Sequence, residues 1–222
     1  MVLMITALIS FVSIIEHRKE VIALKSEQAA NVAAAAAAGI DIDQFKQLKQ
    51  SDQETAYCAE LKRLLSDIKE ATGVEYIFLL ELLPEEEQVR YFAEGETLGD
   101  NPEFINKFDD RFRYDDYFAS VASEKEPFIE AYNNGQVYDV GTFHHPEFGN
   151  ITIKFAPVSD SEGKTAGMVG VIMDANDVIN RANQRMYIRI TIAAVGVVAF
   201  VVVSMIFIRR MITQPLKRIV LA

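Results

Sequence analysis

Nineteen consecutive residues from Ile190 to Ile208, ITIAAVGVVAFVVVSMIFI, carry no charge, with Arg189 before them and Arg209 and Arg210 after them. A hydrocarbon core of about 30 Å needs roughly 20 helical residues, so this run predicts a transmembrane helix over 186–210. A buried helix of a soluble domain is the alternative, but so β-branched a run suits lipid better. Met1 to Ile15 is likewise uncharged and gives way to EHRKE. Fifteen residues are short for a span. A signal peptide competes, but no basic stretch precedes the run and no small-x-small site follows it. The expectation is a first transmembrane helix over 1–15 whose beginning is missing. Arg209, Arg210, Lys217 and Arg218 follow the second run with no acidic residue among them, which places the C-terminus in the cytoplasm and 16–185 outside.

The charge distribution agrees with that division. All 32 acidic residues lie between Glu16 and Asp177. Glu16 to Ile188 holds 17 basic residues against those 32, a net −15, while Arg189 to Ala222 carries +5. An acidic block without a basic stripe cannot neutralise phosphates, so nucleic acid is excluded as its partner. The block is long enough for one hydrophobic core. The single cysteine, Cys58, rules out an intrachain disulfide framework, and its place among apolar helical positions reads as burial rather than redox chemistry.

Within the block, Glu16 to Ala38 has no Gly or Pro and ends in six alanines, Ala33 to Ala38. The pattern predicts that the first helix continues outward to a stop at Gly39, its small side chains allowing another helix to approach. A second helix is expected from about Ser51 to Thr72, capped by Ser51 with Glu54 and ended by Gly73. Strands are expected over Glu75–Leu82, Gln88–Glu94, Gln136–Phe143, Gly149–Val158 and Lys164–Asp174. Polar turns at Pro84–Glu87 and Ser159–Gly163 separate them. Asp109 to Ser123 predicts a short helix on a long connection, Asn133-Asn134-Gly135 predicts a tight turn, and Asp174 or Asn176 can cap a final helix.

The pair of strands around Tyr76-Ile77-Phe78 and Arg90-Tyr91-Phe92, the Gly95-Glu96 that follows, and above all Phe155 to Asp177 (FAPVSDSEGKTAGMVGVIMDAND) resemble the single-Cache domains of bacterial transmembrane receptors. Phe155-Ala156-Pro157-Val158, Gly163-Lys164 and Val169-Gly170-Val171 carry the likeness, which covers about Val21 to Asn180. Met211 to Ile219, with Pro215-Leu216, resembles the opening of a HAMP linker over 211–222, where the module is cut short. The resemblance implies an α+β, PAS-like antiparallel sheet with long N-terminal helices, flanked by two transmembrane helices. It further implies a ligand pocket on one sheet face under the long loop, and a homodimer paired through the N-terminal helices.

No catalytic set stands out: there is no nucleophile elbow, no phosphate-binding glycine loop and no HExxH. The expectation is therefore no enzyme activity in this chain, no cofactor and no metal. His144-His145 with Asp139 and Glu147 matches no ligand spacing and reads as solvated loop, metal or pH sensing being the other reading. Strand alternation puts Ile151, Ile153 and Phe155 on one face and Thr152 and Lys154 on the other. If the apolar face meets the helices, Thr152 and Lys154 line the pocket. Tyr91, Tyr117, Tyr132, Phe143 and His144 fall in segments around it. Ile172 stands where many relatives place an Asp that takes a ligand amine. With Lys154, that departure tilts the expected ligand towards an anionic or neutral small molecule, such as a carboxylate. The chain thus reads as the sensing half of a two-pass receptor in the cell membrane, with a small-molecule ligand. A membrane-tethered protein-interaction module is the alternative.

Overall fold

The computed structural model describes residues 2–210 apart from 52, 99, 102–104, 122 and 147, with side chains within 2–18 and 177–193 described only in part. Helix α1 spans Val2–Ala38 and stops at Gly39, as its composition requires. The alanine run divides by face: Ala33, Ala36 and Ala37 are buried with Ala29 and Val32, whereas Ala34 and Ala35 are exposed. Small side chains thus let this helix lie close on the domain's own core. A short helix, α2 (Ile42–Lys49), follows. Its N-cap is Asp41, whose carboxylate accepts from the amides of Asp43 (3.0 Å) and Gln44 (3.1 Å).

Helix α3 spans Ala56–Thr72, starting five residues later than expected. Ser51 is not its cap. The Ser51 hydroxyl instead closes a local turn on Gln53 (3.1 Å), and Glu54 pairs with Lys62 (2.7 Å). Thr55 holds the N-cap position. At the other end Gly73 adopts φ +67°, the left-handed conformation that glycine enters without a Cβ clash.

Six strands then form one antiparallel sheet: β1 (Tyr76–Leu83), β2 (Gln88–Glu94), β3 (Arg111–Arg113), β4 (Tyr138–His145), β5 (Gly149–Ser159) and β6 (Thr165–Asp174). The order is β3-β2-β1-β6-β5-β4, so the first and last strands meet at the centre. The long connection expected between the second and third strands carries β3, then α4 (Tyr114–Ser120) and α5 (Lys125–Asn133). Asn133-Asn134-Gly135 makes the tight turn that ends α5. The fold is α+β, in keeping with a PAS-like layout. A last helix, α6, spans Asn176–Ile208.

Both faces of the sheet are covered. On one, Ile77, Leu79, Phe92, Val158, Val169 and Val171 pack with α1, α2 and α3 around Phe45, Cys58, Leu61 and Leu65. On the other, Phe78, Tyr91, Ile151, Ile153, Phe155 and Met168 pack with Tyr117 and Phe118 of α4 and Phe128 and Tyr132 of α5. Cys58 is buried, donates to the Phe92 carbonyl (3.2 Å), and has its thiol pushed up to about 11 by burial, so it stays an inert thiol.

Beneath the helices a buried charge cluster ties α2 to the sheet. Glu81 pairs with Lys49 and Arg90, and Arg90 also pairs with Asp109. Arg90 further donates to the carbonyls of Lys49 (2.9 Å) and Ser51 (3.1 Å). Its guanidinium lies over the Phe92 ring, 4.7 Å from the centroid. Such a group is retained only because every charge finds partners; removal of one would leave the rest stranded.

Contacts divide the chain into the unit Val21–Asn176 and a second made of the helical segments on either side of it. Among the described residues no helix is long and apolar enough to cross a membrane. The spans expected over 1–15 and 186–210 fall in part on side chains outside the described ones, and the HAMP-like start at 211–222 lies wholly outside the described residues. Within α6, the described apolar side chains Ile192, Val195, Val197, Val198, Phe200, Val201 and Phe207 are exposed around the whole helix circumference.

Candidate ligand cavity

The aromatic face of the sheet does not close completely. A cavity of about 420 Å³ lies between the sheet, the 105–110 segment and α4. Tyr76 and Phe78 of β1, Tyr91 and Glu94 of β2, Phe112 of β3, His145 of β4, Ile151 and Ile153 of β5 and Ile172 of β6 form its sheet wall. Ile105, Asn106 and Asp110 from the loop, Tyr117, Ser120 and Val121 from α4 and its C-cap, and Phe148 from the β4–β5 turn complete it. The volume lies within the range of small-molecule sites, and the mix of apolar wall with a few polar groups is what such sites present.

Glu94 reaches this cavity through a backbone irregularity. In the β1–β2 pair Leu79 stands opposite Ala93 and Leu80 opposite Tyr91, so Phe92 is the extra residue of a β-bulge. Phe92 and Ala93 both belong to the helix-side core, and the alternation resumes with Glu94 opposite Phe78 on the cavity side. Strict alternation from Tyr91 would have sent Glu94 to the helices. Bulges commonly re-aim a side chain in this way.

Glu94 is 2% exposed. Its Oε2 accepts from both the backbone amide and the side-chain amide of Asn106, each at 2.9 Å. Burial pushes its carboxyl up to about 7, against the opposing pull of those two bonds and of Lys69. Lys69, from α3, is itself held by Asp100 at 2.7 Å and lies over the Tyr76 ring at 4.9 Å from the centroid. Asp110 accepts the Lys107 amide at 2.6 Å, closing the turn that presents it. The Tyr117 phenol is 3% exposed and makes no hydrogen bond of good geometry among the described residues. The Tyr91 phenol is near enough to couple with it, and burial raises both phenols well above their ordinary range.

Of the expected site residues, Tyr91, Tyr117 and Ile172 come together on this wall. Lys154 and Thr152 do not. The alternation of β5 is as expected, but the faces are reversed: Ile151, Ile153 and Phe155 look onto the aromatic side, and Thr152 and Lys154 share the helix-side face with Ala156 and Val158. The reason is size. Phe155 fits the space among Phe78 and Phe128, and the shorter Ala156 and Val158 join the helix-side core. Lys154, 7% exposed, pairs with Asp139 directly across the β4–β5 ladder, and the Thr152 hydroxyl meets that of Thr142 at 2.5 Å. Tyr132 is buried in α5, off the cavity wall. Phe143 packs against the aromatic core without reaching the wall. His144 is exposed, and its neighbour His145 faces inward, stacked on Phe148 with ring centroids 4.7 Å apart. Among the described residues no three His, Cys, Asp or Glu side chains gather as metal ligands; Glu147 lies outside them.

The cavity mouth is joined to the start of α6. The Asn176 side chain accepts from the Asn150 amide (2.7 Å) and side chain (3.1 Å) and donates to the Phe148 carbonyl (2.9 Å). Asp174 accepts the Asn176 amide at 2.6 Å. Asn176→Ala strands those partly buried groups and is expected to destabilise the domain by about 1–3 kcal/mol. Urea denaturation of the variant, with a loss within a few tenths of zero, would show the latch to be dispensable.

The chain matches no family model and no curated protein. Its fold has partial likenesses among solved structures. The ligand-binding domain of the Campylobacter jejuni chemoreceptor Tlp3, solved with 4-methylisoleucine, aligns at 12% identity and a TM-score of 0.39 over 76% of this chain; this chain spans 61% of that domain's length. The E. coli DcuS sensor domain aligns at 15% identity and 0.41, covering 72% of this chain and 98% of that one. The A. aeolicus nlh2 GAF domain aligns at 14% identity and 0.34, covering 75% and 92%. What this chain binds has to be argued from its own cavity.

Proposed function

We propose that the chain is the input half of a two-pass membrane receptor, with 16–185 outside the cytoplasm sensing a small molecule in the cavity between the sheet and α4. The observation that carries this reading is the cavity itself: about 420 Å³ of space on an otherwise closed aromatic face, with a buried acid and a buried phenol on its wall. A monomeric core without a binding role fills such space. The membrane part is supported by the uncharged Ile190–Ile208 run, by the all-round exposure of apolar side chains in α6, and by the basic cluster after it. A HAMP-like linker from 211 and a homodimer paired through the N-terminal helices complete the proposal. Movement of Phe148 on ligand binding would pull on Asn176, and α6 would carry the displacement away from the sheet.

The test is a thermal-shift screen of the full chain in lipid nanodiscs, since a molecule that binds only the folded state raises its stability. Stabilisation by one chemical class is the expected result. A library that leaves the melting temperature unchanged in every class would favour a tethered protein-interaction module. Topology has its own prediction. A cysteine introduced in the exposed Glu85–Glu87 turn should react with an impermeant maleimide in intact cells, and labelling only after lysis would reverse the orientation.

A further inference from the structure

We propose that the cavity takes an organic cation, an ammonium group bound at Glu94 Oε1 with its apolar body against the aromatic and isoleucine wall. The proposal rests on the sensing reading above and gives it a ligand class. Four observations converge on it. First, the described wall contains two carboxylates, Glu94 and Asp110, and no Lys or Arg. The nearest cation to act on Glu94, Lys69, is committed to Asp100 at 2.7 Å. Where Glu94 is ionised, an anionic ligand would meet like charge and no Lys or Arg on the wall, so the expected carboxylate ligand lacks its lysine partner here. Second, both bonds from Asn106 fall on Glu94 Oε2, and among the described residues Oε1 accepts none. Third, the buried Tyr117 hydroxyl, whose neighbour is the Tyr91 phenol, offers a second oxygen to an N–H donor on the same wall. Fourth, the rings of Phe78, Tyr91, Phe112 and Tyr117 surround that end, with Phe78 to Tyr91 at 5.2 Å and Tyr91 to Phe112 at 5.6 Å. Aromatic faces attract a desolvated cation.

Binding would be linked to protons. The groups that face Glu94 are Lys69 with Asp100 from the α3 side, Asp110 from the loop, His145 from β4, and the phenols of Tyr91 and Tyr117. With its carboxyl pushed up to about 7 by burial, Glu94 must lose its proton before it can pair with an ammonium. Affinity should therefore fall at least tenfold between pH 8 and pH 5.5.

Isothermal titration of the full chain in nanodiscs at pH 8 tests this with matched probes: benzylammonium, isobutylammonium and tetramethylammonium against phenylacetate, isovalerate and benzyl alcohol, with sodium chloride as the ionic control. At least one ammonium probe should bind ten times or more tighter than its carboxylate or alcohol counterpart. Glu94→Gln should remove that advantage, and Tyr117→Phe should reduce it. The comparison among probes on the unaltered chain decides the matter even if a variant fails to fold. Carboxylates binding as well as ammonium probes, or Glu94→Gln leaving ammonium affinity unchanged, would overturn the cation assignment. Stabilisation by library carboxylates or neutral molecules alone would also overturn it while sparing the sensing reading. A library blank in every class would overturn both.

Discussion

Phe155→Ala is expected to cost about 3–5 kcal/mol, enough to leave the domain marginal or unfolded. Phe155 is fully buried at the middle of β5. Its ring meets Phe128 of α5 edge-on at 4.8 Å and Phe78 of β1 at 6.0 Å. It is thus the side chain that pins the covering helices to the sheet, and the cavity exists only because those helices sit where they do. Truncation removes the buried ring and leaves a void that the rigid sheet below cannot collapse to fill. Gly170 beside it leaves no compensating movement: a Cβ there would already lie 2.8 Å from the Phe155 ring and 2.4 Å from that of Phe78. Urea denaturation followed by near-ultraviolet circular dichroism of the tyrosines measures the loss. A cost below about 1 kcal/mol, outside the usual range for Phe truncation in a core, would mean that the aromatic layer is not a packed core.

The second large effect runs in the opposite direction. Glu94→Gln should make the ligand-free domain more stable than the native chain at pH 8, by about 3 kcal/mol, and about equally stable near pH 5. The sign follows from the direction of the shift. The folded carboxyl sits at about 7, above its ordinary value of 4.5, because burial penalises its charge. Its contribution to stability is therefore fully present below about 4.5 and is lost as pH rises through 7. A neutral glutamine keeps an oxygen for Asn106 and never has to ionise. Thermal unfolding of both proteins from pH 5 to pH 8 should show curves that separate as pH rises. A variant less stable than the native chain at pH 8 would mean that Glu94 is structurally paired rather than held in reserve. Charge that is costly to keep in the empty protein is what a ligand-binding group presents, since the partner supplies what the fold withholds.

Much of the architecture was legible from periodicity and punctuation. Gly39 and Gly73 stop their helices where composition placed the stops, and β2 has the bounds Gln88–Glu94 that its residues suggest. The β1–β2 and β5–β6 hairpins follow from apolar runs divided by Pro84–Glu87 and Ser159–Gly163. Local cues failed where the deciding partner is distant. Asp41 and Gln44 carry a cap signal for α2, but only Phe45 and Leu48 buried against the sheet make an eight-residue helix stable. Ser51 carries a cap signal but serves a turn on Gln53, and its carbonyl is taken by Arg90.

The site was legible only in part, for two physical reasons. Alternation assigns residues to faces but does not say which face meets which layer, and Lys154 and Thr152 line the cavity only if the apolar face meets the helices, which it does not. A bulge at Phe92 shifts the phase of β2, and no propensity in Arg90-Tyr91-Phe92-Ala93 announces it; this hid Glu94. The departure at Ile172 was read with a lysine that faces elsewhere, whereas Glu94 and Asp110 belong to the loop and strand end that frame the cavity.

The central claim is that a small molecule binds in this cavity, and a crystal structure of the domain grown with whichever screened molecule stabilises it most is the direct measurement. Ligand density is expected between Glu94, Tyr91, Tyr117 and Ile172, with Phe148 displaced from its ligand-free position. Density on the opposite face near Thr152 and Lys154, or in the groove lined by Leu24, Val32 and Ile68 between α1 and α3, would contradict it.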